Sequence, residues 1–176
     1  ISLYTARFAR GITLAHHGGS KRDAGLTLLA EVREAAVQQR FTLQIAPIVD
    51  IHVAQQEASS GHLDGAIELA RIVLDDLFDS GGAIWTVLAT TVLVEALLRR
   101  GTDEDVRVAN FTVERLAAVP TDPGFVLHEI WLLRLRALLA RAHGDAAAYV
   151  DFRDRYRDMA RTLGFEGHIA WAEAMP

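Results

Sequence analysis

The chain has 176 residues with a formal net charge of −5, and 51% of the residues are hydrophobic. This length allows one domain with a sizeable core, and the acidic balance argues against nucleic acid or an anionic membrane as a direct partner. Because cysteine is absent, disulfides, thiolate nucleophiles and cysteine-based metal sites are excluded.

The most apolar run, residues 83–94, is too short and contains too many threonines to be a transmembrane helix. No basic segment followed by an apolar segment resembles a secretion signal. We therefore expect a cytoplasmic location without membrane contact. The chain begins at Ile1 rather than methionine, and we expect it to be a piece of a longer protein.

Apolar residues recur at helical spacing along the whole chain, and alternation typical of strands does not occur. Gly19, Gly61, Gly101 and Gly144 each follow a helical stretch, at steps of about 40 residues that indicate a helical-repeat array. The pattern predicts one all-α domain over residues 1–176. Its predicted parts are helical hairpins at 2–39, 44–79, 83–118 and 123–163 and a tail helix at 166–175.

Small residues in the second repeat suggest the type of hairpin. Ala54, Gly61 and Ala66 are spaced as the small packing residues of a tetratricopeptide unit, which this repeat resembles. It departs from that unit at Ala70, where a large aromatic is expected, and in its period, which exceeds the usual length of about 34 residues. HEAT and armadillo units fit the length but not the glycine positions. The resemblance implies a right-handed superhelix of about four hairpins, with the tail helix covering its last face.

A narrower resemblance lies in residues 156–175, YRDMARTLGFEGHIAWAEAM. This segment is similar to the C-terminal end of large actinobacterial regulators. In that family a class III adenylate cyclase domain precedes a P-loop ATPase domain and a tetratricopeptide-like tail, and some members add a LuxR-type DNA-binding domain. The resemblance implies that this chain is the non-catalytic tail of a parent with cyclase or ATPase activity. None of the family's catalytic residues has a counterpart here.

The residues themselves do not form a catalytic or metal-binding pattern. None of the seven histidines is spaced three or four residues from another, as helical metal ligands usually are. The acidic runs at 75–79 and 103–105 lie at predicted helix ends, where the second run would favour the positive end of the helix dipole. We predict no catalytic, cofactor-binding or metal-binding residues, and therefore no enzyme activity of this chain by itself.

Charged residues near the end of the chain predict a solvated helix face. Asp151 and Arg155 are four residues apart, and Asp154 and Arg157 are three apart, so each pair is placed to form an ion pair on a helix. The mixed signs argue against a phosphate-binding stripe. A polar docking face is the alternative interpretation.

Polar residues on the first helices of the hairpins are the natural contact set, because those helices line the concave side of a tetratricopeptide-like stack. Glu95 is notable because it interrupts the apolar run, so it either meets a partner or pairs internally with a residue such as Arg99. Trp85 and Trp131 are predicted in the core, and Trp171 is predicted as a docking anchor. The candidate partner contacts are Gln55, Gln56, Glu95, His128, Arg134 and Trp171.

Two functions from different classes fit this pattern. The first is a protein-interaction and sensing module of a multidomain signalling regulator, whose partner is another protein or another domain of the parent chain. A partner that prefers one curvature of the stack would shift the equilibrium of an attached enzyme. The second is a small-molecule, inducer-binding helical domain of a transcriptional regulator, which predicts one closed apolar pocket with a few polar groups.

Overall fold

The computed structural model describes residues 3–39, 45–80, 83–122 and 124–175, and within these ranges every regular element is a helix. The predicted all-α class is therefore confirmed for this part of the chain. Positions 2, 44 and 123, where three predicted hairpins begin, lie outside it. The helices are α1 (Leu3–Ala15), α2 (Ser20–Gln39), α3 (Ile45–Ser59), α4 (Leu63–Ser80), α5 (Ala83–Arg100), α6 (Asp103–Ala117), α7 (Val126–Ala142), α8 (Ala146–Leu163) and α9 (Glu166–Ala174).

Glycines end the helices where the sequence pattern places them. Gly61, Gly101 and Gly144 have φ values of 88°, 74° and 74°. These are left-handed conformations that glycine adopts without steric cost and that stop a right-handed helix. Each of these glycines therefore separates the two helices of a hairpin.

The start of α7 differs from its predicted position. The sequence pattern begins this helix at 123, whereas the structure begins it at Val126. Gly124 has a φ of 87°, which a right-handed helix does not accommodate. The helix consequently starts beyond this glycine, and Phe125 takes the N-cap position without a side-chain capping bond.

The backbone contacts divide the chain into two compact units, Ile1–Ser80 and Gly81–Pro176. In the first unit α1 packs on α2, α2 on α3, and α3 on α4. Ala54 on α3 and Ala66 on α4 are fully buried, which suits small residues at a close helix–helix contact. A buried cluster joins α1, α2 and α3 and consists of Ala15, Leu29, Val32 and Val49.

In the second unit α7 packs against both α5 and α6, as well as against α8. Most of α5 is buried, including Val94 and Leu97, and this explains why its sequence is apolar over most of its length. The last helix, α9, packs on α8. A second buried cluster links α7, α8 and α9 and consists of Ile130, Leu133, Tyr156, Ala160 and Ala172.

The turn between α5 and α6 is held by a buried carboxylate. Asp105, only 1% exposed, accepts hydrogen bonds from Arg100 Nε at 3.0 Å and Arg100 Nη2 at 2.5 Å. The Thr102 hydroxyl accepts from the Asp105 amide, and the Thr102 amide donates to the Asp105 carboxylate, which completes a capping box. The Arg100 hydrogen bonds are the main reason that the pKa of Asp105 lies well below its usual range.

The mixed-charge face of α8 forms the predicted ion pairs. Arg155 Nη1 lies 3.2 Å from Asp151 Oδ2, and Arg157 Nη2 lies 2.8 Å from Asp154 Oδ1.

Among the described residues, no helix is long and apolar enough to cross a membrane.

The contact between α1 and α2 depends on glycine at position 25. A Cβ there would lie 2.4 Å from the Ala15 amide nitrogen and 2.8 Å from the Gly11 carbonyl oxygen. We expect Gly25→Ala to lower the free energy of unfolding by about 1–3 kcal/mol, because overpacking outweighs the better helix propensity of alanine. Gly65→Ala on α4, where a Cβ would meet nothing within 4 Å, should instead stabilise by up to about 1 kcal/mol. Urea unfolding followed by circular dichroism measures both, and equal effects would contradict the close contact.

The Asp105 cluster predicts a pH dependence of stability. Its pKa is lowered in the folded state, so its contribution is complete above the unfolded pKa of about 3.9 and is lost as the pH falls toward the folded value. At pH 7, Asp105→Asn should lower the free energy of unfolding by about 1.5–3 kcal/mol, and the difference from wild type should shrink below about pH 4. Asp103→Asn, an exposed first-turn control, should change little. Urea titrations between pH 3 and 7 test this, and a difference that stays constant with pH would refute it.

Candidate functional site

A groove of about 410 Å³ lies between α5 and α7 in the second unit and is open to solvent on one side. Three arginines and one carboxylate line it, together with apolar side chains. The lining residues are Glu95, Leu98, Arg99, Arg134, Leu138, Arg141 and Ala142. The groove therefore combines positive charge with an apolar surface.

Helical spacing places these side chains together. On α5, residues 95, 98 and 99 are separated by three and four positions, so they share one face of the helix. On α7, residues 134, 138 and 141 follow the same rule. Because α5 and α7 contact each other, the two faces form the opposite walls of the groove.

An ion pair joins the two walls. Arg134 Nη1 donates a hydrogen bond to Glu95 Oε1, and the two side chains are 15% and 39% exposed. The carboxylate that interrupts the apolar sequence of α5 thus meets a cation from α7. Removal of one member would leave the other charge partly desolvated, which usually destabilises more than loss of the pair itself.

Arg134 also contacts two tryptophans. Its guanidinium carbon lies 5.5 Å from the ring centroid of Trp131 on α7 and 5.3 Å from that of Trp171 on α9. The two rings are themselves 5.4 Å apart. These distances fit cation–π contacts, whose strength increases as the cation is desolvated. Arg134 therefore connects α5, α7 and α9.

The helix α9 is held by an aromatic cluster around His168. The Tyr156 hydroxyl and His168 Nδ1 lie 2.8 Å apart, and the His168 ring lies 4.8 Å from Trp131 and 5.2 Å from Trp171. Burial raises the pKa of Tyr156 to about 12. Burial, and secondly the positive charge of Arg134, lower the pKa of His168. Both groups are therefore neutral near pH 7.

The structure brings three of the six predicted contact residues together: Glu95, Arg134 and Trp171. The predicted anchor Trp171 packs within the chain, against Trp131, while 46% of its surface stays exposed. His128 is buried, with a ring nitrogen 2.9 Å from the Leu116 carbonyl oxygen. The residue thus offers little surface to a partner, because its ring serves to join α7 to α6.

The two glutamines lie on α3, in the first unit. Gln56 is only 7% exposed, and its main-chain carbonyl oxygen accepts a hydrogen bond from Arg22 Nη2 at 2.7 Å. Gln55 is half-buried, and its main-chain carbonyl oxygen accepts a hydrogen bond from the Ser59 hydroxyl. Gln56 therefore offers little surface to a partner, whereas Gln55 keeps part of its surface.

Sequence reasoning missed part of the groove. Arg141 is exposed in the last turn of α7, and no partner for its guanidinium is found among the described residues. Its position two helical turns after Arg134 was the signal that could have identified it. Trp131, predicted in the core, is half-buried and stacks beside Arg134. Leu98 and Leu138 were not distinguished from core residues, because apolar residues at helical spacing occur on both sides of a buried helix.

The lining of the groove has the chemistry of an anion-binding surface with apolar contacts. Guanidinium groups bind carboxylates or phosphates through paired hydrogen bonds, and the leucines can contact an apolar group of the same ligand. The only carboxylate among the described lining residues, Glu95, is already paired with Arg134. Within the described ranges, no three His, Asp or Glu side chains are placed to hold a metal ion.

His168 predicts a pH dependence of α9 docking. Its pKa is lowered in the folded state. The contribution of His168 to the stability of docked α9 is therefore fully present above the unfolded pKa of about 6.5 and decreases as the pH falls below it. Arg134 and Tyr156 face the ring, and neither would stabilise its protonated form as a carboxylate would. Hydrogen exchange of α9 amides, corrected for intrinsic rates, should show less protection at pH 5.5 than at pH 7.5.

A matched pair of variants isolates this effect. His168→Gln should remove most of the pH dependence of α9 protection, whereas His143→Gln, at an exposed histidine of the same unit, should retain it. If the two variants behave alike, the burial of His168 is not the cause.

Comparison with known proteins adds no relative. A scan against protein-family models, a search of curated proteins and a search of solved structures each found no match. The similarity of residues 156–175 to actinobacterial regulators therefore stays a prediction. Any function assigned to the chain has to be argued from the groove and the packing around it.

Proposed function

We propose that this chain is a non-catalytic helical-repeat module that binds a protein partner at the groove between α5 and α7. The observation that carries the proposal is that three arginines and several apolar side chains line one open groove. A binding surface of this kind needs no chemistry beyond charge and shape, and the lining supplies both.

The packing of the second unit supports a tetratricopeptide-like arrangement. In such stacks the first helix of each hairpin packs against both helices of the preceding hairpin, and α7 contacts both α5 and α6. The first helices line the concave side, where these proteins hold partners. The groove lies between two such helices, which is where a partner of this class of module would be expected.

The proposed setting is a multidomain signalling regulator in the cytoplasm. Its support is the resemblance of residues 156–175, which include α9 and most of the aromatic cluster around His168. A partner that binds the groove would act on an attached enzyme only through its different affinities for two conformations. The role of the module is then regulation through binding.

Small-molecule binding is the second candidate, and the groove volume favours it. A volume of about 410 Å³ falls within the range of ligand pockets, about 300–1,000 Å³. The groove is open, however, whereas the closed apolar pocket expected for an inducer-binding domain would bury most of its ligand. An open groove suits a segment of a larger molecule better.

Photo-crosslinking in the cells that produce the protein tests the proposal. Benzoylphenylalanine in place of Leu138 puts a reactive group in the groove, and the same residue in place of Val150, which is 44% exposed on α8, provides the control. We expect ultraviolet light to give a discrete protein adduct at position 138 and none at position 150, with the partner identified by mass spectrometry. Equal or absent adducts at the two positions would contradict a protein-binding groove.

A further inference from the structure

We infer that a cavity between the first turns of α5 and α7 binds a small uncharged molecule that carries one aromatic ring. The cavity is partly enclosed and has a volume of about 180 Å³. Among the described residues, four aliphatic and three aromatic side chains line it. None of them also lines the groove at the other ends of these two helices, so this is a second site and does not depend on the proposed function.

The α5 wall of the cavity comes from the first two turns of that helix. Ile84, Val87 and Leu88 are separated by three and four positions, so they share one face. Trp85 lies beside them and also lines the cavity. Val87 is buried, Trp85 and Leu88 are half-buried, and Ile84 is exposed. This order of exposure places Val87 at the floor of the cavity and Ile84 at its mouth.

The α7 wall depends on the turn at Gly124. The φ of 87° at Gly124 and a hydrogen bond of 3.1 Å from the Phe125 amide to the Asp122 carbonyl oxygen set Phe125 directly before the helix. Leu127 and Trp131, four positions apart on α7, continue this wall. Phe125 and Trp131 are half-buried, so each ring still has surface that a ligand could cover.

The lining does not compensate a charge. Its only side-chain polar atoms, among the described lining residues, are the indole nitrogens of Trp85 and Trp131, and an indole N–H only donates hydrogen bonds. A water molecule in the cavity would find few of the two to four polar partners that a buried water needs. A charged ligand would lose its hydration without meeting an opposite charge. The cavity therefore favours an uncharged apolar molecule.

The volume and the aromatic lining set the size and type of this molecule. Since an apolar cavity of about 150 Å³ can hold a benzene ring, a volume of about 180 Å³ admits one ring with a small substituent. Trp85, Phe125 and Trp131 offer three aromatic partners. Aromatic pairs gain more than the burial of their area alone, so an aromatic ring should bind more tightly than an aliphatic ring of similar size.

A free molecule fits the cavity better than the side chain of a partner protein. Ile84 and Leu127 are exposed apolar residues of the lining. A docked phenylalanine would bring its backbone amides against this apolar surface, where they would lose water without gaining hydrogen bonds. A free one-ring molecule carries no such groups.

The test uses the 176-residue chain and fluorobenzene as the probe. In ¹⁹F nuclear magnetic resonance, the shift and broadening of the probe signal should saturate with protein concentration, whereas non-specific partition would increase linearly. Toluene should displace the probe. Benzoate, which adds a negative charge, should need concentrations at least about tenfold higher, and cyclohexane should displace less well than toluene. Toluene should also change the intrinsic fluorescence, because Trp85 and Trp131 line the cavity.

Two matched variants assign the probe to the cavity. Leu88→Trp places a larger side chain in the cavity and should weaken fluorobenzene binding by about tenfold or more, because the added ring occupies the same space. Val150→Trp enlarges an exposed side chain on α8 and should leave the affinity within about twofold. If circular dichroism shows that Leu88→Trp does not fold, Leu127→Trp at the exposed mouth serves the same purpose.

Several results would overturn the inference. A linear response of the probe, or equal effects of the tryptophan variants at positions 88 and 150, would show that the cavity is not the site. Benzoate or cyclohexane as effective as toluene would exclude an uncharged aromatic ligand. If N-acetylphenylalanine amide displaced the probe better than toluene, the cavity would take a side chain of a partner protein. The crosslink at position 138 concerns only the groove, so either proposal can fail without the other.

Discussion

The guanidinium of Arg134 is the group on which the second unit and its groove both depend. It pairs with Glu95 on α5 and lies over Trp131 on α7 and Trp171 on α9. Its Nε is buried without a hydrogen-bond partner among the described residues, so the group is held by these contacts rather than by a full set of hydrogen bonds. A cation in this position orders one wall of the groove and the end of the chain together.

This arrangement is possible because α5 is buried on most sides. An apolar helix fixed between α6 and α7 presents its single carboxylate at a defined place, and the turn at Gly101 with the capping box of Asp105 sets the direction of α6. The groove then needs only side chains at helical spacing on two neighbouring helices. The chemistry of the site is therefore a consequence of hairpin stacking. The last helix, α9, adds Trp171, which packs on Trp131 and Arg134.

Much of this fold could be predicted from sequence, because the signals were local. Glycine positions, capping residues and apolar spacing predicted helices close to those in the described residues. The start of α7 was misplaced by three residues, since Gly124 was not recognised as a turn. The site was harder, because it depends on contacts between distant residues. Residue type and placement on the first hairpin helices selected Glu95 and Arg134, and placement on the tail helix selected Trp171. Helical spacing from Arg134 could have added Arg141, but nothing local showed that Gln56 and His128 are buried. The pairing of Glu95 with a residue 39 positions away lies beyond what periodicity can supply.

A double-mutant cycle between positions 134 and 171, read by urea unfolding, measures whether this arginine links the two helices. With Arg134→Gln, Trp171→Leu and the double variant, we expect a coupling of about 0.5–2 kcal/mol between the two positions, because the cation–π pair is partly desolvated. Arg155→Gln combined with Trp171→Leu provides a reference. Arg155 lies on α8, where it pairs with Asp151, so we expect no coupling between positions 155 and 171. Additive effects of Arg134→Gln and Trp171→Leu, within about 0.3 kcal/mol, would show that Arg134 does not link α7 to α9.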